Sequence, residues 1–174
     1  MISSKSELKE YLQKDKFALG ISNRRRPRIF MDEIWKYEIF LRKHEYYRNT
    51  NSSFILRKYY AIRHRHLGVK LGFDIPCNVF SGGLRINHFG YIVVNPKAKI
   101  GEFCDIHQGV NIGETDTGAP SIGDNCWIGP GAKLFGGITI GKNVMIGANA
   151  VVNKNFNEDS VVIAGVPAKI IHKK

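Results

Sequence analysis

The chain has 174 residues, 43% hydrophobic and 24% charged, with a formal net charge of +11 at pH 7. That balance describes an ordinary soluble globular chain, one domain or one domain with a small appendage. No apolar run approaches the ~20 residues of a membrane span, and the opening MISSKSELKEYLQKDKF is too polar for a secretory signal, so the cytoplasm is the expected compartment.

The charge is unevenly placed. Residues 1–70 hold 17 Lys/Arg against 7 Asp/Glu, whereas residues 71–174 hold 9 against 8. The basicity therefore belongs to the N-terminal segment, and the remainder needs no polyanionic partner. Residues 1–20 are helix-compatible, with Ser6 a candidate N-cap and Leu8, Tyr11 and Leu12 on one face. SNRRRPR (22–28) then interrupts with a basic run and Pro27. Four arginines could contact nucleic acid or anionic lipid, but no nucleic-acid motif surrounds them, so a solvated linker is expected and no nucleic-acid partner.

MDEIWKYEIFLRKHEYYR (31–48) predicts an amphipathic helix with Asp32 and Glu33 in its first turn. Ile34, Trp35, Tyr37, Ile39, Phe40 and Leu41 are too many for a thin stripe, so two faces should be buried. TNSS (50–53) separates it from a second helix, FILRKYYAIRHRHLGVK (54–70). The pair should cap one end of the region that follows, as a stack of repeats requires. Aromatics among basic residues could also bring this segment against a membrane surface. The expected domains are a helical cap over 1–70 and a repeat domain with a C-terminal tail over 71–174.

From Val94 onward every sixth residue is aliphatic: Val94, Ile100, Ile106, Ile112, then Ile122, Ile128, Leu134, Ile140, Ile146 and Val152. One gap of ten residues, between Ile112 and Ile122, reads as a four-residue insertion. Glycine follows at 101, 113, 123, 129, 141 and 147, and the position two before is mostly small or β-branched. A period of six is the signature of a parallel β-helix, mainly β, with ~18 residues per coil of three short strands. The aliphatic residues should stack inward, and the glycines should let the backbone turn the corners. A β-sandwich would instead show alternating strands and turn signals every 8–12 residues. Before Val94 the phase is irregular: counting back six lands on His88, with Ile86 and Leu84 nearby, so the register should shift there.

Cys77, Cys104 and Cys126 form no CxxC pattern. Cys104 and Cys126 should share one column, close enough for a bridge, but reduced thiols filling a small-residue column are the expectation. There is no Walker loop, HExxH, GxSxG or zinc-ligand spacing. Of six histidines only His88 and His107 lie within the repeats.

At DIPCNVFSGGLRINHFGYIVVNPKAKIG (74–101), IHQGVNIG (106–113) and IAGVPAKII (163–171), the chain resembles the serine acetyltransferases, a branch of the hexapeptide-repeat acyltransferases. The family pattern is a D-I-H-P-like start, a D-H followed by G-x-V-V, then Q-x-V-T-x-G and an A-G-V-P-A-R tail. The likeness covers about residues 70–172. It implies a left-handed parallel β-helix, homotrimers, acetyl-CoA as co-substrate in the cleft between subunits, and no metal. By residue match His88 takes the place of the catalytic histidine and Asp74 that of the aspartate orienting it. An alcohol is a poor nucleophile near neutral pH, so an imidazole must remove its proton as it attacks the thioester, and the carboxylate fixes the tautomer. Backbone N–H groups near Gly113 or Gly131 could take the oxyanion. Gly131, Ala132 and Ala148 match small residues along the CoA cleft, while Lys142, Lys169 and the Lys173–Lys174 tail could meet its phosphates.

Departures from the pattern bear on the acceptor. The family's D-H is Asn87-His88 here, and its D-R-H-P block aligns with Thr117-Gly118-Ala119-Pro120, without the Arg and His tied to holding serine. The insertion falls in that loop, which is acidic, beginning at Glu114. Asn87, His107 and Glu114 are therefore the candidate acceptor-binding residues. His107 occupies a glycine position, taken as one 18-residue coil after Phe89. Short relatives occur among capsule and exopolysaccharide O-acetyltransferases, so a sugar or glycan-precursor hydroxyl is the favoured acceptor and L-serine the alternative. A non-catalytic or metal-binding β-helix is the reading from another class.

Overall fold

Serine and glutamate three residues apart start the first helix. In the computed structural model, which describes residues 1–173, Ser4 rather than Ser6 caps α1 (Lys5–Ala18): its hydroxyl accepts from the Glu7 N–H, and the Glu7 carboxylate accepts from the Ser4 N–H. Two donors left over at a helix start are satisfied reciprocally. The basic run that follows is not simply solvated. Arg24 and Arg28 both donate to the carboxylate of Asp32, the left-handed residue that opens α2 (Glu33–Thr50), and Arg24 also lies over the Trp35 ring. Only Arg25, Arg26 and Arg28 are largely exposed. Ser53 caps α3 (Phe54–Leu71), which ends at left-handed Gly72, so both predicted helices appear within two or three residues of their expected limits.

Beyond α3 the chain winds as a parallel β-solenoid of about five coils. The first coil holds β1 (Phe73–Asp74) and β2 (Arg85–Ile86); the second β3 (Ile92–Val94), β4 (Lys99–Ile100) and β5 (Asp105–Ile106). The third holds β6 (Asn111–Gly113), β7 (Ser121–Ile122) and β8 (Trp127–Ile128), and the fourth β9 (Lys133–Phe135), β10 (Thr139–Ile140) and β11 (Met145–Ile146). The last has β12 (Val151–Val152) and β13 (Val161–Ala164), and β14 (Lys169–Lys173) turns back antiparallel along β13. Strands stack into three faces: β1-β3-β6-β9-β12, then β4-β7-β10, then β2-β5-β8-β11-β13 with β14 outermost.

The hexad residues form the interior columns. Ile86, Ile106, Ile128, Ile146 and Ile163 share one, in register from coil to coil. Val94, Ile112, Leu134 and Val152 share another, and all nine are nearly or wholly buried. At about 1.5–3 kcal/mol for each fully buried aliphatic side chain, these columns supply the drive that strands of two or three residues could not. Cys104 and Cys126 are both buried, as the small-residue column requires.

The glycines after the hexad residues have a different job from the one expected. None of Gly101, Gly113, Gly123, Gly129, Gly141 and Gly147 has positive φ. A Cβ on Gly123 would instead lie 2.7 Å from the Gly141 carbonyl oxygen, and one on Gly141 2.6 Å from that of Glu158. The coils approach too closely there for any side chain. Left-handed turning falls to other residues, among them Asn125, Asn143, Asn149 and Gly131.

The first coil has no coil beneath it, and the helices take its unpaired backbone groups with buried ionic side chains. Asp15 of α1 accepts from the N–H groups of Gly83 and Leu84 at 2.8 and 2.9 Å. Glu45 of α2 accepts from Asn78 N–H at 2.7 Å, and Glu38 from Ile86 N–H at 3.3 Å. Arg42, wholly buried, donates to the Phe80 and Ser81 carbonyls and to both Asp15 and Glu45. Tyr37, Leu41, Leu67 and Leu71 complete the apolar contact between cap and solenoid.

Candidate functional site

Ile86 and Val94 are both inward, yet eight residues separate them where a hexad would leave six. The two extra residues enlarge the corner 87–91, between the third face of one coil and the first face of the next. The register therefore shifts as the sequence implied, and His88 is carried out of the core onto an exposed corner. The corner is pinned from below: Gly90 N–H donates to the Leu71 carbonyl at 3.1 Å and Ile92 N–H to that of Gly72 at 2.9 Å. A Cβ on Gly72 would meet the Gly90 carbonyl carbon at 3.1 Å, so the end of α3 can approach only because glycine ends it.

One coil above, the His107 ring centroid lies 6.1 Å from that of His88 and 4.8 Å from that of Trp127. Arg85 pairs with Asp105 and Ile86 with Ile106, so this coil is 20 residues long. His107 therefore stacks over Asn87, not Phe89, with Gly129 and Gly147 continuing its column. Its Nε2 is buried without a hydrogen bond, 3.5 Å from Asp105 Oδ1. Asn87 Nδ2 donates to the same oxygen, and Arg85 Nη1 is 3.5 Å from Oδ2. The carboxylate missing at position 87 is thus restored one coil on, by a residue that the motif comparison passed over. Burial raises the Asp105 carboxyl, opposed by Arg85, His107 and Asn87. Burial lowers His107, with Asp105 opposing, so its ring is held toward the neutral form.

Other predicted residues lie elsewhere. Gly131 and Ala148 are on the same edge of the prism as His88, but Ala132 is fully buried in the core and offers no side chain to a cleft. Gly113 and Glu114 begin the edge between the first and second faces, where Lys97 Nζ pairs with Glu114 at 2.5 Å. The insertion loop folds over the next coil there, Thr117 Oγ1 accepting from Gly137 N–H at 3.0 Å. Lys142 is on the third edge, tied to Asp124 at 2.9 Å, and Lys169 is exposed on β14. Lys173 pairs with Glu158 at 2.6 Å; Lys174 lies outside the described residues. One chain therefore distributes the expected donor and acceptor residues over three edges.

Asp74 does not meet His88 within the chain: no hydrogen bond or ion pair joins them. It pairs in register with Val93 and lines a cavity of about 600 Å³ between α2, α3 and the first face. Tyr37, His44, His64 and Cys77 also line that cavity. Burial brings His64 down to about 4 and pushes the Cys77 thiol up to about 12.

The fold is a hexapeptide-repeat solenoid, and residues 119–154 match the family model for bacterial transferase hexapeptides (six repeats). Over a longer stretch the chain resembles serine acetyltransferases. The Synechococcus elongatus serine acetyltransferase is 35% identical over 112 residues, 62% of this chain and 42% of that protein. The crystal structure of the Brucella abortus serine acetyltransferase superposes with a TM-score of 0.77 at 26% identity, covering 98% of this chain and 71% of that one. A serine acetyltransferase solved in complex with CoA gives 0.76 at 26% identity, over 96% and 71%. The chain thus spans less than half the length of the curated relative. Among the described residues no helix is long and apolar enough to cross a membrane.

Proposed function

We propose that this chain transfers an acetyl group from acetyl-CoA to a hydroxyl, with serine as the acceptor. The observation carrying the reading is the enlarged corner that presents His88 to solvent beside His107 and Asp105, within the stretch that resembles the serine acetyltransferases. His88 takes the hydroxyl proton as the oxygen attacks the thioester carbonyl. The new C–O bond forms, the C–S bond breaks, and the imidazolium returns the proton to the departing thiolate. Transition-state charge on the carbonyl oxygen falls to a backbone N–H near Gly113, because the Gly131 N–H already donates to the Gln108 carbonyl at 2.9 Å. Asp74 keeps the orienting role only if the ring or the strand end moves on assembly; Asp105 is the carboxylate already at the corner. The division of the remaining residues among three edges supports a homotrimer, in which one chain's corner faces another edge of its neighbour.

The departures from the family pattern pointed to a glycan hydroxyl as acceptor, and the relatives favour serine instead. Arg85 and Lys133, whose Nζ donates to Gly109 O at 2.5 Å, are the cations at this corner available to a serine carboxylate. One observation keeps the glycan as a second reading: Thr117, Gly118 and Ala119 supply no cation where the family has one. Release of free CoA from acetyl-CoA, with L-serine and a panel of sugars and nucleotide sugars, separates the two. Saturable release with serine is expected. Release with sugars alone replaces the acceptor and leaves acetyl transfer standing, and release with none overturns the enzyme reading.

A further inference from the structure

Away from the corner, three side chains of metal-binding type converge from three separate elements. His44 is on α2, His64 on α3 and Cys77 in the turn after β1, and their ligand atoms all lie within 4.8 Å of one another. His64 and Cys77 stand 20 and 33 residues after His44, so no sequence spacing announces the group. The helical hairpin and the start of the first coil create it.

We propose that His44, His64 and Cys77 form a zinc site that fastens the helical cap to the first coil of the solenoid. His44 Nδ1 is 3.2 Å from His64 Nδ1 and 3.2 Å from Cys77 Sγ. A neutral imidazole nitrogen has either one proton or one in-plane lone pair, so His44 Nδ1 cannot bond both neighbours with good geometry. One cation between the three satisfies all of them. With Zn–N near 2.0–2.1 Å and Zn–S near 2.3 Å, tetrahedral ligands sit about 3.3 Å apart for two nitrogens and about 3.5 Å for nitrogen and sulfur. The two pairs measured from His44 are already close to those separations.

The surroundings suit such a centre. Binding through Nδ1 leaves each ring its proton on Nε2, and that of His64 is 3.0 Å from the Tyr37 hydroxyl, which fixes the tautomer and the ring plane. Two nitrogens and a sulfur select a borderline metal such as zinc over magnesium or calcium. The three residues line the cavity beneath α3, which leaves room for water as a fourth ligand. Asp74, Arg48 and Arg65 line the same cavity. Zinc displaces the Cys77 proton, so each ion bound as a thiolate complex releases one proton to the buffer. None of the three ligands is among the residues assigned to acyl transfer, although Asp74 and Tyr91 line the same cavity.

The test uses the full chain stripped with a chelator and titrated with Co²⁺, then with Zn²⁺. One equivalent of Co²⁺ should produce the near-ultraviolet thiolate-to-cobalt band and intense visible bands of a low-coordinate site, and Zn²⁺ should bleach them with about one proton released. Cys77→Ser should abolish the thiolate band, and His64→Gln should weaken binding at least about tenfold, in line with losing one ligand. Equal binding by wild type and Cys77→Ser, or no thiolate band in the wild type, overturns the site and leaves a neutral hydrogen-bonded cluster. Should these variants fail to fold, alkylation of the wild type decides: Zn²⁺ must protect Cys77, and modification at an unchanged rate refutes the proposal.

Discussion

Replacing Arg42 with alanine tests the account of how the solenoid is capped. A guanidinium has five N–H donors, and Arg42 uses Nε, Nη1 and Nη2 in five hydrogen bonds, three to the Asp15 and Glu45 carboxylates and two to the Phe80 and Ser81 carbonyls. All of this is buried, so removal strands two carboxylates and two carbonyls together. Breaking a buried ion pair from one side costs about 3–5 kcal/mol. At about 2–4 °C per kcal/mol for a chain of this size, Tm should fall by roughly 10 °C. Arg42→Lys should recover part of the loss, since it restores charge with fewer donors. Calorimetry at pH 7 and pH 5 adds a sign. Burial raises the Glu45 carboxyl even with Arg42 opposing, so without the cation Glu45 binds more protons folded than unfolded. The deficit of Arg42→Ala should therefore shrink toward pH 5. A loss below about 1 kcal/mol, the usual size for an exposed pair, or a deficit that grows on acidification would refute the capping account.

His88→Ala should lower turnover by at least ~100-fold, the low end for losing a general base, with acetyl-CoA affinity retained. Steady-state rates for His88→Ala and His107→Ala side by side assign the base, and full activity in the first with loss in the second would transfer that role to His107. Asp105→Asn and Asp74→Asn, measured the same way, identify which carboxylate orients it; the larger fall in kcat should come from Asp105 if the single-chain arrangement persists in the assembly. Glu38 is buried with Oε2 unpartnered, and burial, with Asp15 adding, raises its carboxyl well above the usual range. The folded chain therefore holds a proton that the unfolded chain releases, and stability should decline as pH rises from the ordinary carboxylate range toward the folded value. Chemical denaturation of Glu38→Gln across pH should show that decline reduced, and an unchanged pH profile would mean that Glu38 is charged in the fold.

The solenoid was legible because its signal is periodic: ten aliphatic residues at fixed spacing admit one architecture, and the ten-residue gap marks the one long corner among the later coils. The helices were legible from their apolar faces and the breaks between them, whereas the cap of α1 is Ser4 and not the expected Ser6. What escaped depends on which coil faces which. Counting 18 residues placed His107 over Phe89; the enlarged corner makes that coil 20, and only the actual register brings Asp105 beside His107 and Asn87. The hexad glycines were visible, but their reason, close approach of the coil above, is a contact between residues 17 to 23 apart. Nothing in the sequence singled out Asp15, Glu38 and Glu45, because nothing local tells a helix that its partner is an open row of N–H groups. His44, His64 and Cys77 were invisible as a group for the same reason.

A stack of identical parallel coils has no inherent length. Each end offers the same backbone groups that join one coil to the next, so two molecules with bare ends would continue one another, and many would grow into a filament. In this chain the two ends are stopped by unlike devices: carboxylates and a guanidinium at the first coil, and at the last a strand, β14, running against the direction of the others. Because the cap side chains take the first coil's backbone groups and β14 covers β13, neither end offers a bare parallel coil to another copy. Polymerisation is blocked at both ends, and the long edges of the prism are left as the surfaces through which copies can associate.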